Sequence, residues 1–137
     1  MSRGLCMRML CVILLAAIAA GCTPQTRVDL VNSTPFPVDV ELFYDDDQLA
    51  PEFLIEESGE GLNFTLQPGE TQSFSRNCED LQAIFIKDAD MRIVLGISPE
   101  ANTRVYREPD DFGCGNVLRF EFTANDLGTD LDINFSR

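Results

Sequence analysis

The segment F-P-V-D-V-E-L-F-Y, from Phe36 to Tyr44, sends Val38, Val40, Leu42 and Tyr44 one way and Asp39 and Glu41 the other. Successive side chains of an extended chain point to opposite faces, so this is a strand with one dry side and one wet side. Pro37 has no amide hydrogen to give to a ladder, which predicts that this strand starts on a sheet edge. The same alternation recurs before and after it. Upstream, Val28 and Leu30 alternate with Asp29 between Arg27 and the break at Asn32-Ser33-Thr34-Pro35. Downstream, Leu62 to Leu66 alternates and runs into Gln67-Pro68-Gly69-Glu70, where Pro presets one dihedral of a type II turn and Gly supplies the positive one. Thr71 to Asn77 is the next strand.

Leu81 to Lys87, L-Q-A-I-F-I-K, is apolar enough to be a central strand covered on both faces. Asp88-Ala89-Asp90 then reads as a turn into a hairpin partner, Met91 to Ile97, which Pro99 stops. Thr103 to Arg107 is a shorter, more polar strand ended by Pro109. Val117 to Thr123 sets Leu118, Phe120 and Phe122 against Arg119 and Glu121. Asn125 to Gly128 turns the chain, and Leu131, Ile133 and Phe135 make the last inward row. Residues 48–60, with Pro51, Gly59 and four glutamates, read as a loop carrying the short apolar piece Phe53-Leu54-Ile55. About eight or nine short strands without a helical period predict an all-β fold, an antiparallel immunoglobulin-like β-sandwich. A small closed barrel is the alternative. The phenylalanines fall mostly at inward positions and read as core.

Ahead of the strands, Arg3 and Arg8 precede an unbroken apolar run from Met9 to Ala20, and Ala19-Ala20-Gly21 sets small residues before Cys22. That is the layout of a secretory signal, a short helix built to be cleaved. A run of twelve apolar residues is too short for a permanent span, since a helix needs about twenty to cross a bilayer.

Ala19-Ala20-Gly21-Cys22 resembles the lipobox of bacterial lipoproteins. The resemblance implies cleavage between Gly21 and Cys22, a lipid on the Cys22 thiol and a fatty acyl group such as palmitate on the new amino terminus. By the sorting rule of enteric bacteria, Thr23 in place of Asp implies the outer membrane, facing the periplasm or the cell surface. Residues 1–21 are then the signal peptide, 22–26 a lipid-anchored tether and 27–137 the folded domain. Ala17-Ile18-Ala19 carries the rival reading, an A-x-A site whose cleavage releases a soluble secreted protein. Cysteine parity favours the lipobox. Cys6 and Cys11 leave with the signal, so Cys22, Cys78 and Cys114 remain. A lipid on Cys22 leaves one pair to bridge, whereas an unmodified Cys22 leaves an odd thiol in an oxidising compartment. A Cys78–Cys114 disulfide is expected on that basis.

The processed chain of 116 residues holds one domain with a single core. The net charge of −13, more negative once Arg3 and Arg8 are lost, excludes nucleic acid as a partner and opposes docking on anionic lipid. It suits solubility, a cation or a basic partner. For catalysis the inventory is thin: there is no histidine, no tryptophan and one lysine, Lys87. Nucleophile-elbow and phosphate-loop patterns are missing as well.

The chain therefore reads as a non-catalytic binding or structural protein of the cell envelope, held on the membrane by its lipid and contacting another envelope protein. No cofactor beyond the lipid is expected. A calcium-binding module is the alternative, with Asp45, Asp47, Asp110 and Asp111 supplying oxygens from loops at one end of the sandwich. Aspartate favours solvated turns for its own reasons, and no EF-hand signature is present. A small hydrolase using paired carboxylates is the remaining reading. An open strand edge near Pro37 or along Thr103 to Arg107 is the expected place for a partner's strand.

Overall fold

A computed structural model describes residues 22–93 and 98–137. The signal segment 1–21 and residues 94–97 of the expected hairpin strand lie outside the described residues. Alternation becomes strands β1 (Gln25–Asn32), β2 (Val38–Asp45), β3 (Glu60–Leu66) and β4 (Thr71–Asn77). They are followed by β5 (Ala83–Met91), the two-residue β6 (Glu100–Ala101) and β7 (Tyr106–Arg107), and then β8 (Val117–Ala124) and β9 (Leu131–Ser136). Strand β1 begins two residues before Arg27: Gln25 pairs with Asn77, and Thr26 is buried.

One sheet has the order β4-β1-β8-β9; the other has β3-β2-β5, with β6 and β7 both lying along the far side of β5. The sheets face each other as a sandwich, and Val28, Leu30, Val40, Leu42, Ile86 and Phe120 meet in the core between them. Two details go beyond the expected antiparallel, immunoglobulin-like pattern. β1 and β8 run parallel, so the first sheet is mixed. β1 and β2 lie in different sheets, where the immunoglobulin order has its first two strands side by side. Phe64 stacks on Phe74 at 5.9 Å across one open side of the sandwich, and Tyr106 on Phe135 at 3.9 Å across the other.

Three local expectations are corrected. β2 is interior, between β3 and β5, because Pro37 lies just outside the ladder, where its carbonyl accepts the Arg92 amide. Asp88-Ala89-Asp90 is not a turn: β5 continues through it to Met91. The register jumps from Leu42 opposite Ile86 to Glu41 opposite Asp88, which leaves Lys87 as the extra residue of a bulge. That residue shifts the inward phase from Ile84 and Ile86 to Ala89 and Met91, and so keeps Asp88 and Asp90 out of the core. Third, Glu52–Ser58 is a helix, α1. β5 is apolar on both faces, and α1 covers the outer one: Ile55, fully buried, packs with Ala50, Ala83 and Phe85. Gly59 ends the helix where a Cβ would lie 2.4 Å from the Ile55 carbonyl and 2.6 Å from that of Tyr44.

The edge expected to be open along Thr103 to Arg107 is itself the cover of β5. Between β6 and β7, Thr103 takes the Ile86 amide on its hydroxyl at 2.9 Å and gives its own amide to the Ile86 carbonyl at 2.9 Å. Where β1 passes to β2, buried Asn32 pins the turn. Its amide donates to the carbonyls of Phe36 (2.8 Å) and Leu66 (3.0 Å), and its Oδ1 accepts the Thr34 amide at 2.9 Å. The expected turn after β3 forms with Gly69 at φ 76°.

Candidate functional site

The start of β1, the disulfide and the acidic loops converge on one end of the sandwich. Cys78, just past β4, donates its amide to the Pro24 carbonyl at 3.1 Å. Its sulfur is bonded to Cys114, with the two Cα atoms 5.3 Å apart. The expected bridge is therefore present, and it ties the end of an edge strand to the loop that feeds β8. Gly115, at φ 84°, lets that loop reverse beside Cys114. Cys22 is exposed and, among the described residues, unpaired, with Thr23 and Pro24 between it and β1.

The four aspartates considered for calcium sit in this region, and three of them are engaged separately. Asp45 accepts the Asp47 amide and Asp47 the Leu49 amide, each at 2.8 Å, so both shape the turn that leaves β2. Asp111 takes the Arg104 guanidinium in a two-point contact at 3.0 and 2.6 Å and the Arg107 amide at 2.8 Å. Arg104 holds the Asp111 carboxyl below its ordinary range, against an opposing push from burial. Asp110 is exposed. Among the described residues, three carboxylates that each bring one oxygen within 4.8 Å of the others are instead Asp88, Asp90 and Glu100.

Those three stand on the outer face of the second sheet. Asp90 is directly opposite Asp39 on β2 and Glu100 on β6, and Asp88 is opposite Glu41. Like charges facing each other across strands are unfavourable. Arg92 answers Asp39, and Lys87 reaches Glu41 at 4.0 Å and Glu56 more closely. The buried Oδ1 of Asp90 has no partner among the described residues. Burial first, and then the charges of Asp88, Glu100 and Asp39, raise the Asp90 carboxyl above its ordinary value. Sequence reading missed this group because it placed Asp88 and Asp90 in a turn; the bulge at Lys87 aligns them in a row.

A third cluster joins the two sheets. Tyr44 of β2 donates its hydroxyl to Glu60 of β3, while Arg76 of β4 donates Nε to the Tyr44 oxygen at 2.5 Å and lies over the Tyr44 ring at 5.2 Å. Burial, and then Glu60, raise the phenol above its ordinary value. Tyr44 therefore keeps its proton at neutral pH, and with both neighbours satisfied the trio works as a clamp between sheets.

Beside the disulfide, Gln48 lines a shallow depression with Cys78, Gln82 and Pro109, and the Arg107 guanidinium holds its carbonyl at 2.8 Å. Three large apolar residues that follow Gln48 are uncovered: Leu49 is 80% exposed, Phe53 65% and Leu54 40%. Phe53 departs from the expectation that the phenylalanines are core. Among the described residues, no helix is long and apolar enough to cross a membrane.

No protein-family model matches the sequence, and no curated protein matches it. Among solved structures, the chain is similar to a protein from Eubacterium rectale (14% identity, TM-score 0.48, covering 83% of this chain and 90% of that one). It is similar to the T6SS lipoprotein TssJ1 from Pseudomonas aeruginosa (14% identity, TM-score 0.44, covering 85% and 98%). It is also similar to the membrane-binding domain of pneumolysin (8% identity, TM-score 0.49, covering 82% and 96%). With each of these three superpositions below 0.5, none carries an argument about function.

Proposed function

We propose that the chain is a lipid-anchored protein of the bacterial cell envelope, in the outer membrane, whose β-sandwich binds another protein and performs no chemistry of its own. The observation that carries this reading is the division of the cysteines. Cys78 and Cys114 are joined, and Cys22 is exposed and, among the described residues, unpaired at the position where Ala-Ala-Gly-Cys calls for acylation. A disulfide in a small domain goes with an oxidising compartment outside the cytoplasm. From Cys22 to Gln25 the chain reaches roughly 10 Å at most, so the domain rests near the headgroups. One acyl chain holds a protein only marginally, and two hold it firmly, at about 0.8 kcal/mol per buried methylene.

A binding role agrees with the side chains that could otherwise react. Tyr44 and Asp111 are each held between partners, and the chain has no histidine. The test is fractionation of cells expressing the whole precursor. The wild type is expected in the membrane pellet after a high-salt wash, and Cys22→Ser in the soluble fraction. A wild type that washes off, or a serine variant that stays, refutes the anchor.

A further inference from the structure

The apolar stretch at the start of α1 is out of keeping with the rest of the surface. Leu49, Phe53 and Leu54 expose large apolar side chains within six positions, while Ile55 alone faces inward from the helix. The helix does little for itself: Pro51 offers no side-chain cap, and its last turn holds no basic residue. Glu56 and Glu57 fall in that turn, where the helix dipole disfavours negative charge. Folding requires Ile55 as a lid on Phe85; it gives no reason for Phe53 to be a phenylalanine. Exposed apolar residues rimmed by charge mark contact surfaces.

The rim says what fits. From Asp45 to Ser58 there are six acidic residues and no basic one, and the nearby Lys87 is occupied by Glu56. We infer that Leu49, Phe53 and Leu54 with their acidic rim form the docking surface for the partner protein, and that the partner presents an apolar pocket bordered by lysine or arginine. The inference rests on the proposed binding role and adds the face and its chemistry. An anionic bilayer is the poorer occupant, although the patch starts next to the tether, because the rim and the headgroups repel. A second copy is poorer for the same reason, since it would bring two acidic rims together.

The test uses the mature lipidated protein in discs of zwitterionic lipid, with an amphipathic leucine–lysine helical peptide as the probe and its leucine–glutamate counterpart as control. The lysine peptide is expected to bind saturably and to crosslink within residues 49–57. Binding should weaken about thirtyfold in Phe53→Ser, and should weaken as salt screens the acidic rim. The glutamate peptide should not bind. Both Phe53 and Leu49 are exposed, so Phe53→Ser and Leu49→Ser should keep the wild-type melting temperature, which separates lost contact from lost fold. Three results overturn the inference: lysine-peptide binding indifferent to Phe53→Ser, phosphatidylglycerol vesicles that bind through Phe53, or a wild-type dimer that Phe53→Ser dissolves. Envelope crosslinking distinguishes the two readings. If wild type and Phe53→Ser capture the same specific protein equally, the binding role stands and this face is wrong; if wild type captures none, the binding role itself falls.

Discussion

Reducing or removing the Cys78–Cys114 bridge should cost stability almost wholly through the unfolded chain. Cys114 is exposed and Cys78 half-buried, so replacing both with alanine removes little apolar packing. The bridged positions are 36 residues apart, and closing a loop of that length lowers the entropy of the unfolded chain by an amount worth about 4 kcal/mol at 25 °C. For a domain of this size that corresponds to a fall in Tm of roughly 10 to 20 °C. The loss should begin locally. Cys78 follows edge strand β4 and gives its amide to Pro24, so β4 and the start of β1 should lose hydrogen-exchange protection before the β2–β5 centre does. The assay is a calorimetric melt of the Cys78→Ala/Cys114→Ala protein beside the wild type, followed by exchange at the β1–β4 pair. A double variant melting within about 2 °C of wild type would refute the loop-closure argument. Uniform loss of protection across both sheets would refute the local one.

Asp90→Asn should stabilise at neutral pH by a few tenths to about 1 kcal/mol, since the residue faces Asp39 and Glu100. Asp90 has a raised pKa in the fold, so its ionisation weakens the native state as pH climbs from the ordinary value of 3.8 through the folded one. The advantage of the Asp90→Asn variant should accordingly vanish in acid and grow with pH in parallel urea titrations. Asp111→Ala should destabilise by about 1 to 2 kcal/mol, discounted because Arg104 is largely exposed. The Asp111 contribution is complete above 3.8 and is lost as pH falls through its lowered folded value; a pH-independent difference between variant and wild type would count against it. Ile55→Ala should cost about 2 to 4 kcal/mol by emptying the space between α1 and Phe85. Gly59→Ala should cost about 1 to 3 kcal/mol, because its Cβ would strike two backbone carbonyls that cannot swing aside. Both are read from thermal melts, and wild-type values would show α1 to be dispensable.

Where two-residue alternation is unbroken, strands could be read straight from the residues: Val38 to Tyr44, Leu62 to Leu66 and Leu118 to Phe122 all face as expected. The Pro68-Gly69 turn carried its own backbone requirement. The bulge was hidden because Lys87 looks like the end of a strand, and Asp88-Ala89-Asp90 looks like a turn, until the phase shift to Ala89 and Met91 is seen. Helix α1 was hidden because Ile55 is the single buried residue in it, too few for a period to show. Its necessity lies elsewhere, in the apolar outer face of β5. The β1–β8 pairing joins strands far apart in the chain, and nothing local to either encodes a parallel partner. Of the site residues, Cys78 and Cys114 were legible by counting, whereas the crowding at Asp90 arises from three strands at once.

Intact mass spectrometry of the protein extracted from native membranes bears most directly on the anchor, because one spectrum reports the cleavage point, the acyl groups and the oxidation state of the remaining thiols. The mass expected is that of residues 22–137 carrying lipid on Cys22 and lacking the two hydrogens of a Cys78–Cys114 bridge. A chain beginning at Ala20 with an unmodified Cys22 would contradict the account.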